Sequence, residues 1–260
     1  FTVNSAFFIA PADWWDDTVY LDGYEKLGWG IGEEFRYVPS ENAYGWFHGY
    51  FIKQKSDDRK RWDFTWTHLQ KVRKGWTFTA DLNLLSDSDF PREYQRDYNQ
   101  STISGTDSRI FLTRNRGPYA FNLRAERRLQ YFTQGHDLIQ SALPGVEFRS
   151  SLQPLFAGLY GGFETSAAYL HKEWGDQELG HTQLASPIKH AVSYGRVDLH
   201  PFAERPFHPA PWLDLIPRLD LRATEYGESL NPDMGAGQRG YLNPGTGVYD
   251  GGSLLRAYAK

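Results

Sequence analysis

The chain has 260 residues, 28 Lys and Arg against 32 Asp and Glu for a formal net charge of -4, and no cysteine. That length suffices for one large domain or two modest ones. The charge excludes nucleic-acid binding by bulk attraction, and the missing sulfur excludes a disulfide framework or a thiolate metal site. In chain order, residues 1–10 read as a strand stopping at Pro11, and a loop with Asp13, Trp14, Trp15, Asp16 and Asp17 follows. Strands are then predicted at 18–25, 28–38, 44–54, 61–71 and 75–85, separated by turn residues. Each runs to about nine to eleven residues, the length of a tilted membrane-crossing strand and longer than the usual five or six.

The stretch 61–85 organises the rest. Trp62, Phe64 and Trp66 alternate with Asp63, Thr65 and Thr67, and after a turn Trp76, Phe78, Ala80, Leu82 and Leu84 alternate with Thr77, Thr79, Asp81 and Asn83. One face is apolar and the other polar. In a soluble sheet this period means core on one side and water on the other; in an outer membrane barrel it means lipid outside and a wet lumen inside. No apolar run reaches about eighteen residues and the mean hydropathy is -0.60, which excludes a transmembrane helix and leaves a barrel open.

A polar connection over 86–104 carries Asp87, Asp89, Arg92, Glu93, Arg96 and Asp97, and strands are predicted again at 107–116 and 119–132. In the second, Tyr119, Phe121, Leu123 and Ala125 oppose Asn122, Arg124, Glu126, Arg128 and Gln130. Further strands are expected at 145–153, 157–172, 188–201 and 212–226, then a Gly/Pro-rich loop at 228–251 and a last strand at 252–259. The expected total is about eleven, in one partial domain covering 1–260, with no helix. Phe1 is preceded by no initiator Met or signal pattern, so a mature protein or a piece of a longer one is expected.

The segment from Gly195-Arg196-Val197-Asp198-Leu199-His200-Pro201 through Pro206, Pro209 and Pro211 to Leu215-Ile216-Pro217-Arg218-Leu219-Asp220-Leu221-Arg222-Ala223-Thr224-Glu225-Tyr226 resembles the barrel of the LptD family, outer membrane proteins that insert lipopolysaccharide. Earlier pieces look like successive blocks of the same barrel in the same order: Phe7-Phe8, residues 17–23, Trp29 to Tyr37, Asp81-Leu82-Asn83 and Ser86 to Phe90. The resemblance implies the N-terminal part of a transmembrane up-and-down β-barrel of about twenty-six strands. It further implies a bacterial outer membrane location, lipopolysaccharide and membrane lipid as ligands, an LptE-like lipoprotein plug, and an LptA-like periplasmic bridge docking through a jelly-roll domain outside this chain.

Candidate site residues follow from the faces. Arg124, Arg128, Arg196, Arg218 and Arg222, with Asp220, fall on the polar side. They either pair with carboxylates across strands, letting charge sit inside a barrel, or offer guanidinium forks to lipid phosphates and acidic sugars. Trp62, Phe64, Trp66, Trp76 and Phe78 are expected to face the membrane. Trp14, Trp15, Trp29 and Trp46 add to a girdle near strand ends, with sugar stacking as the other reading. Pro201 and Pro217 each fall inside a strand pattern, where proline removes a ladder bond and implies a bend or bulge. The eight His have no metal-ligand spacing, no nucleophile elbow or P-loop occurs, and the acidic pairs lie in expected loops. Neither enzyme, cofactor nor metal centre is expected. A generic porin and a soluble β-rich carbohydrate-binding protein are the alternatives.

Overall fold

The computed structural model of the chain describes residues 1–87, 89–94, 105–131, 137–174, 191–227, 241–242, 249–250 and 254–259. Strands β1 (Thr2–Ala12), β2 (Trp15–Tyr24), β3 (Gly28–Ser40), β4 (Ala43–Gln54), β5 (Lys60–Val72) and β6 (Trp76–Leu85) come first. A short helix α1 (Phe90–Tyr94) precedes β7 (Gly105–Arg116), β8 (Tyr119–Tyr131), β9 (Asp137–Pro154), β10 (Tyr160–Trp174) and β11 (Ala191–Glu204). Then come β12 (Phe207–Ala210), β13 (Leu213–Leu215), β14 (Arg218–Tyr226), β15 (Tyr241–Leu242), β16 (Tyr249–Asp250) and β17 (Leu254–Ala259). The main sheet runs in chain order through β1 to β11, then β14 and β17, and the pairs β12–β13 and β15–β16 form separate ribbons. This is an all-β, antiparallel, up-and-down sheet.

The main sheet holds thirteen strands, so the expected count of about eleven was low; the segments read one by one account for all of them. Three boundaries differ from expectation for physical reasons. Trp15, Asp16 and Asp17 belong to β2, because only Asp13 and Trp14 are needed to turn the chain. Strand β9 begins well before Gly145: the ladder to β10 shifts register between Ala168 and Leu170, opposite Leu143 and Pro144, and a bulge there absorbs the proline. The predicted strand 212–226 is two elements, since Ile216 and Pro217 break it between β13 and β14. The polar connection also contains α1, where no helix was expected. Residues 95–104, 188–190 and most of 228–253 lie outside those described.

The chain divides into two compact units, Phe1–Leu112 with Glu126–Asp137, and Thr113–Ala125 with Leu138–Lys260. In the first, the register lines up Phe7, Val19, Glu33, Gly49 and Phe64 across β1 to β5, and Leu84 of β6 continues the row. Because side chains alternate along a strand, every second position shares that face. The β5–β6 hairpin turns at Arg73–Gly75, where Lys74 and Gly75 both take left-handed backbone angles, φ 64° and 77°. That twist suits a tight antiparallel turn. At Gly45 the sheet packs too closely for a side chain: a Cβ would meet the Thr67 carbonyl at 2.5 Å and the Tyr37 hydroxyl at 2.6 Å.

Candidate functional site

In the first unit the two faces differ sharply. On one lie Val3, Phe7, Ile9, Leu21, Trp29, Ile31, Phe51 and Trp62, all exposed, Trp29 by 76%. Phe64, Trp66, Trp76 and Phe78 share this face with Trp62 through the β5–β6 register and are half-buried among one another. A row of rings runs from Trp15 over Phe35 and Phe47 to Phe64, with centroids 5.4–6.3 Å apart. Polar atoms within this face are tied up locally: Trp66 Nε1 donates to the Tyr37 hydroxyl at 3.0 Å, and that hydroxyl bonds His68 Nδ1 at 2.7 Å. Exposed apolar rings side by side on consecutive strands form a surface that water alone does not favour.

The opposite face buries charge. Arg61 is 2% exposed, and the chain after β6 folds back over it. Its Nε and Nη2 donate to the two Asp87 oxygens at 2.9 and 2.6 Å, and Nη1 donates to Glu93. The guanidinium also lies 5.8 and 5.1 Å from the rings of Phe90 and Tyr94, a cation–π arrangement. Burial alone would push the Asp87 carboxyl up, but the bonds from Arg61 and from the Ser86 hydroxyl outweigh it and hold Asp87 below its usual range. Next to Arg61, Asp63 is 5% exposed, with Oδ2 3.5 Å from His48 Nε2. Across β2 and β4, Asp22 accepts from the Tyr50 hydroxyl at 3.0 Å and the Tyr24 hydroxyl at 3.3 Å.

In the second unit the charged residues form a ladder. Asp198, nearly buried, accepts from Arg222 Nε at 3.1 and 3.0 Å, from Arg196 at 3.5 Å and from the Thr224 hydroxyl at 2.5 Å. Asp220 accepts twice from Arg218, at 2.9 and 3.0 Å, and bonds His200 Nε2 at 3.1 Å. Arg218 also lies 4.6 Å above the Phe202 ring. Arg124 pairs with Glu147 at 3.2 Å, and Gly145 makes room for it, since a Cβ there would meet Arg124 Cγ at 2.9 Å. The other face of β11 and β14 exposes Val197, Leu199, Leu219 and Leu221.

Arg196, Arg218, Arg222 and Asp220 therefore lie together on one face of the second unit, each in an ion pair with a sheet carboxylate or arginine. Arg128 sits in the first unit, bonded to Asp107 at 2.7 Å, and that carboxylate also takes Arg109 at 2.9 Å. Pro201 lies inside β11: its pairing to Phe163 of β10 continues, while the ladder to β14 skips from Leu199 to Phe202. Pro217 is not inside a strand. It precedes β14, where its carbonyl accepts the Arg205 amide at 3.1 Å. Trp46, placed with the girdle by its position near a strand end, points to the face opposite Trp62 and Trp66, because it pairs with Thr67. Asp214 belongs to the small β12–β13 ribbon and bonds His208 at 2.5 Å. Sequence reasoning passed over Arg61, Asp63, Asp22, Tyr50 and Asp198; their one signal was parity with the polar residues beside them. Among the described residues no group of three or more His, Asp or Glu gathers to hold a metal.

A family model described as LptD, LPS transport system D, matches residues 59–246. The LPS-assembly protein LptD of Alkalilimnicola ehrlichii is 26% identical over 228 residues, which cover 86% of this chain and 28% of that protein. The LPS-assembly protein LptD of Cupriavidus metallidurans is 32% identical over 103 residues, 39% of this chain and 12% of the relative. The chain thus spans less than a third of the length of either.

Proposed function

Since this chain belongs to the LptD family, we propose that its 260 residues form one partial domain, a segment of a transmembrane up-and-down β-barrel in the bacterial outer membrane. The barrel serves transport: it assembles lipopolysaccharide into the outer leaflet and catalyses no reaction. The observation that carries this reading is the opposition of faces, with Trp29, Ile31, Phe51 and Trp62 exposed on one side and Arg61 and Asp63 buried on the other. In a lipid setting the exposed row touches hydrocarbon, and the backbone polar groups of strands inside the sheet are satisfied by their neighbours, with β1 and β17 left as its two edges. The polar face then carries the saccharide and phosphates while acyl chains stay in apolar surroundings, so neither end of the lipid enters the wrong solvent.

The arginine ladder of the second unit supplies phosphate contacts. Arg196, Arg218 and Arg222 are preorganised by Asp198 and Asp220. A passing phosphate competes with Asp220, the more exposed of the two carboxylates, for the Arg218 fork, because a phosphate, like a carboxylate, accepts two parallel guanidinium hydrogen bonds. An LptE-like lipoprotein plugs the lumen, and an LptA-like bridge delivers the lipid through a domain outside this chain.

The test is reconstitution of the complete protein in vesicles with a lipopolysaccharide-loaded donor. Transfer to the vesicle leaflet is expected, slowed several-fold in Arg218→Met with Arg222→Met. Salt conductance without any lipopolysaccharide transfer, with or without a lipoprotein plug, would instead mark a porin.

A further inference from the structure

The polar face of the first unit contains a cavity of about 420 Å³, a size that holds a small ligand. We propose that it binds an uncharged, hydroxyl-bearing sugar ring, with the Asp63 carboxylate as the hydroxyl acceptor. This deepens the reading that the polar face carries saccharide, and it rests on that reading. The first observation is Asp63 itself: its side chain is 5% exposed, it lines the cavity, and its Oδ1 has no hydrogen-bond partner among the described residues. A buried carboxylate oxygen without a donor is costly, and a hydroxyl is the donor that fits a neutral ligand.

The rest of the lining narrows the chemistry. Tyr50, Phe90 and Tyr94 form an aromatic wall with centroids 6.3 and 5.1 Å apart, suited to the C–H face of a pyranose. Asp22 stands on the cavity with its oxygens already taken by Asn4, Tyr24 and Tyr50. Two carboxylates and, among the described residues, no Lys or Arg in the lining repel a phosphate or an acidic sugar. A divalent cation is disfavoured too, because Asp22, Asp63 and His48 do not gather as a metal-holding group. The cavity of the first unit and the arginine ladder of the second thus suit different chemical groups: hydroxyls at Asp63, phosphates at Arg218 and Arg222.

Saturation-transfer difference NMR on the complete protein in detergent, with maltotriose and glucose 6-phosphate as probes, tests this. Maltotriose is expected to receive saturation and glucose 6-phosphate to receive little. Asp63→Asn, which removes the charge at the acceptor, should weaken maltotriose binding about tenfold. Should that variant fail to fold, Ala6→Trp on the exposed edge strand β1 obstructs the cavity without touching buried groups and should abolish the signal. An absent maltotriose signal, equal transfer to glucose 6-phosphate, or unchanged binding in both variants overturns the inference. If maltotriose fails while lipopolysaccharide transfer still depends on Arg218 and Arg222, only this cavity assignment falls; if that transfer fails as well, the proposed function falls with it.

Discussion

Removing Arg61 and removing its acidic partners should cost unequal amounts. Arg61 is 2% exposed, whereas the side chains of Asp87 and Glu93 are 33% and 47% exposed. In Arg61→Met the methylene stem is replaced by a side chain of similar length, and both carboxylates rehydrate where they stand. The loss is three charge-assisted hydrogen bonds, discounted for solvent screening and for the relief of burying the cation, about 1–2 kcal/mol. In Asp87→Asn combined with Glu93→Gln, the guanidinium stays buried without a countercharge, and stranding a buried ion costs about 3–5 kcal/mol. Both perturbations act on the docking of the 86–94 segment, which native-state hydrogen exchange reads at the Glu93 amide, bonded to the Asp89 carbonyl at 3.2 Å. Converted at about 1.4 kcal/mol per decade, the opening constant should rise about ten-fold in Arg61→Met and at least a hundred-fold in the double variant. Equal exchange in the two, or faster exchange in Arg61→Met, would refute the asymmetry and with it the view that Arg61 is the buried member of the cluster.

The Asp87 carboxyl, burial working against it and Arg61 and Ser86 overcoming that, titrates below its unfolded value, so its contribution is present above the ordinary carboxylate range and lost as pH falls through the folded value. Docking of residues 86–94 should hold from pH 7 to about 5 and loosen below about pH 4; exchange that accelerates already above pH 6 would contradict this. Gly45→Ala forces a Cβ against the Thr67 carbonyl and the Tyr37 hydroxyl and should cost about 1–3 kcal/mol, while Gly195→Ala, where a Cβ meets nothing within 4 Å, should cost under about 1, as read from urea midpoints in detergent. Brominated lipids should quench Trp29 and Trp62 in single-tryptophan variants and spare Trp46 on the opposite face; strong quenching of Trp46 would reverse the assignment of faces.

Period-two alternation was enough to place nearly every strand, because a sheet with one greasy and one wet side encodes its register in parity. It failed where something other than parity decides. Ile216 and Pro217 interrupt an alternation that otherwise runs from Leu213 to Thr224, and the chain makes a ribbon there before rejoining the sheet. Pro144 hid the first half of β9, because a bulge accommodating a proline cannot be told from a turn by composition. The five candidate arginines were visible as polar-face residues, yet their partners depend on cross-strand register: Asp198 serves both Arg196 and Arg222 only because β11 and β14 pair Asp198 with Thr224. The burial of Arg61 was beyond reach, since the segment that covers it reads as a solvated acidic loop until Phe90 and Tyr94 are seen to pack on the sheet.

Within the first unit each strand from β1 to β6 pairs with the next one in the chain, across turns of two to five residues. Closing such short loops is cheap in entropy, and contacts between sequence neighbours form early and fast. A newly added hairpin therefore finds its hydrogen-bonding template already waiting at the growing edge. Under the proposed barrel reading, stepwise zipping of this kind leaves only the two edges of the growing sheet unsatisfied at any moment, however many strands have been added.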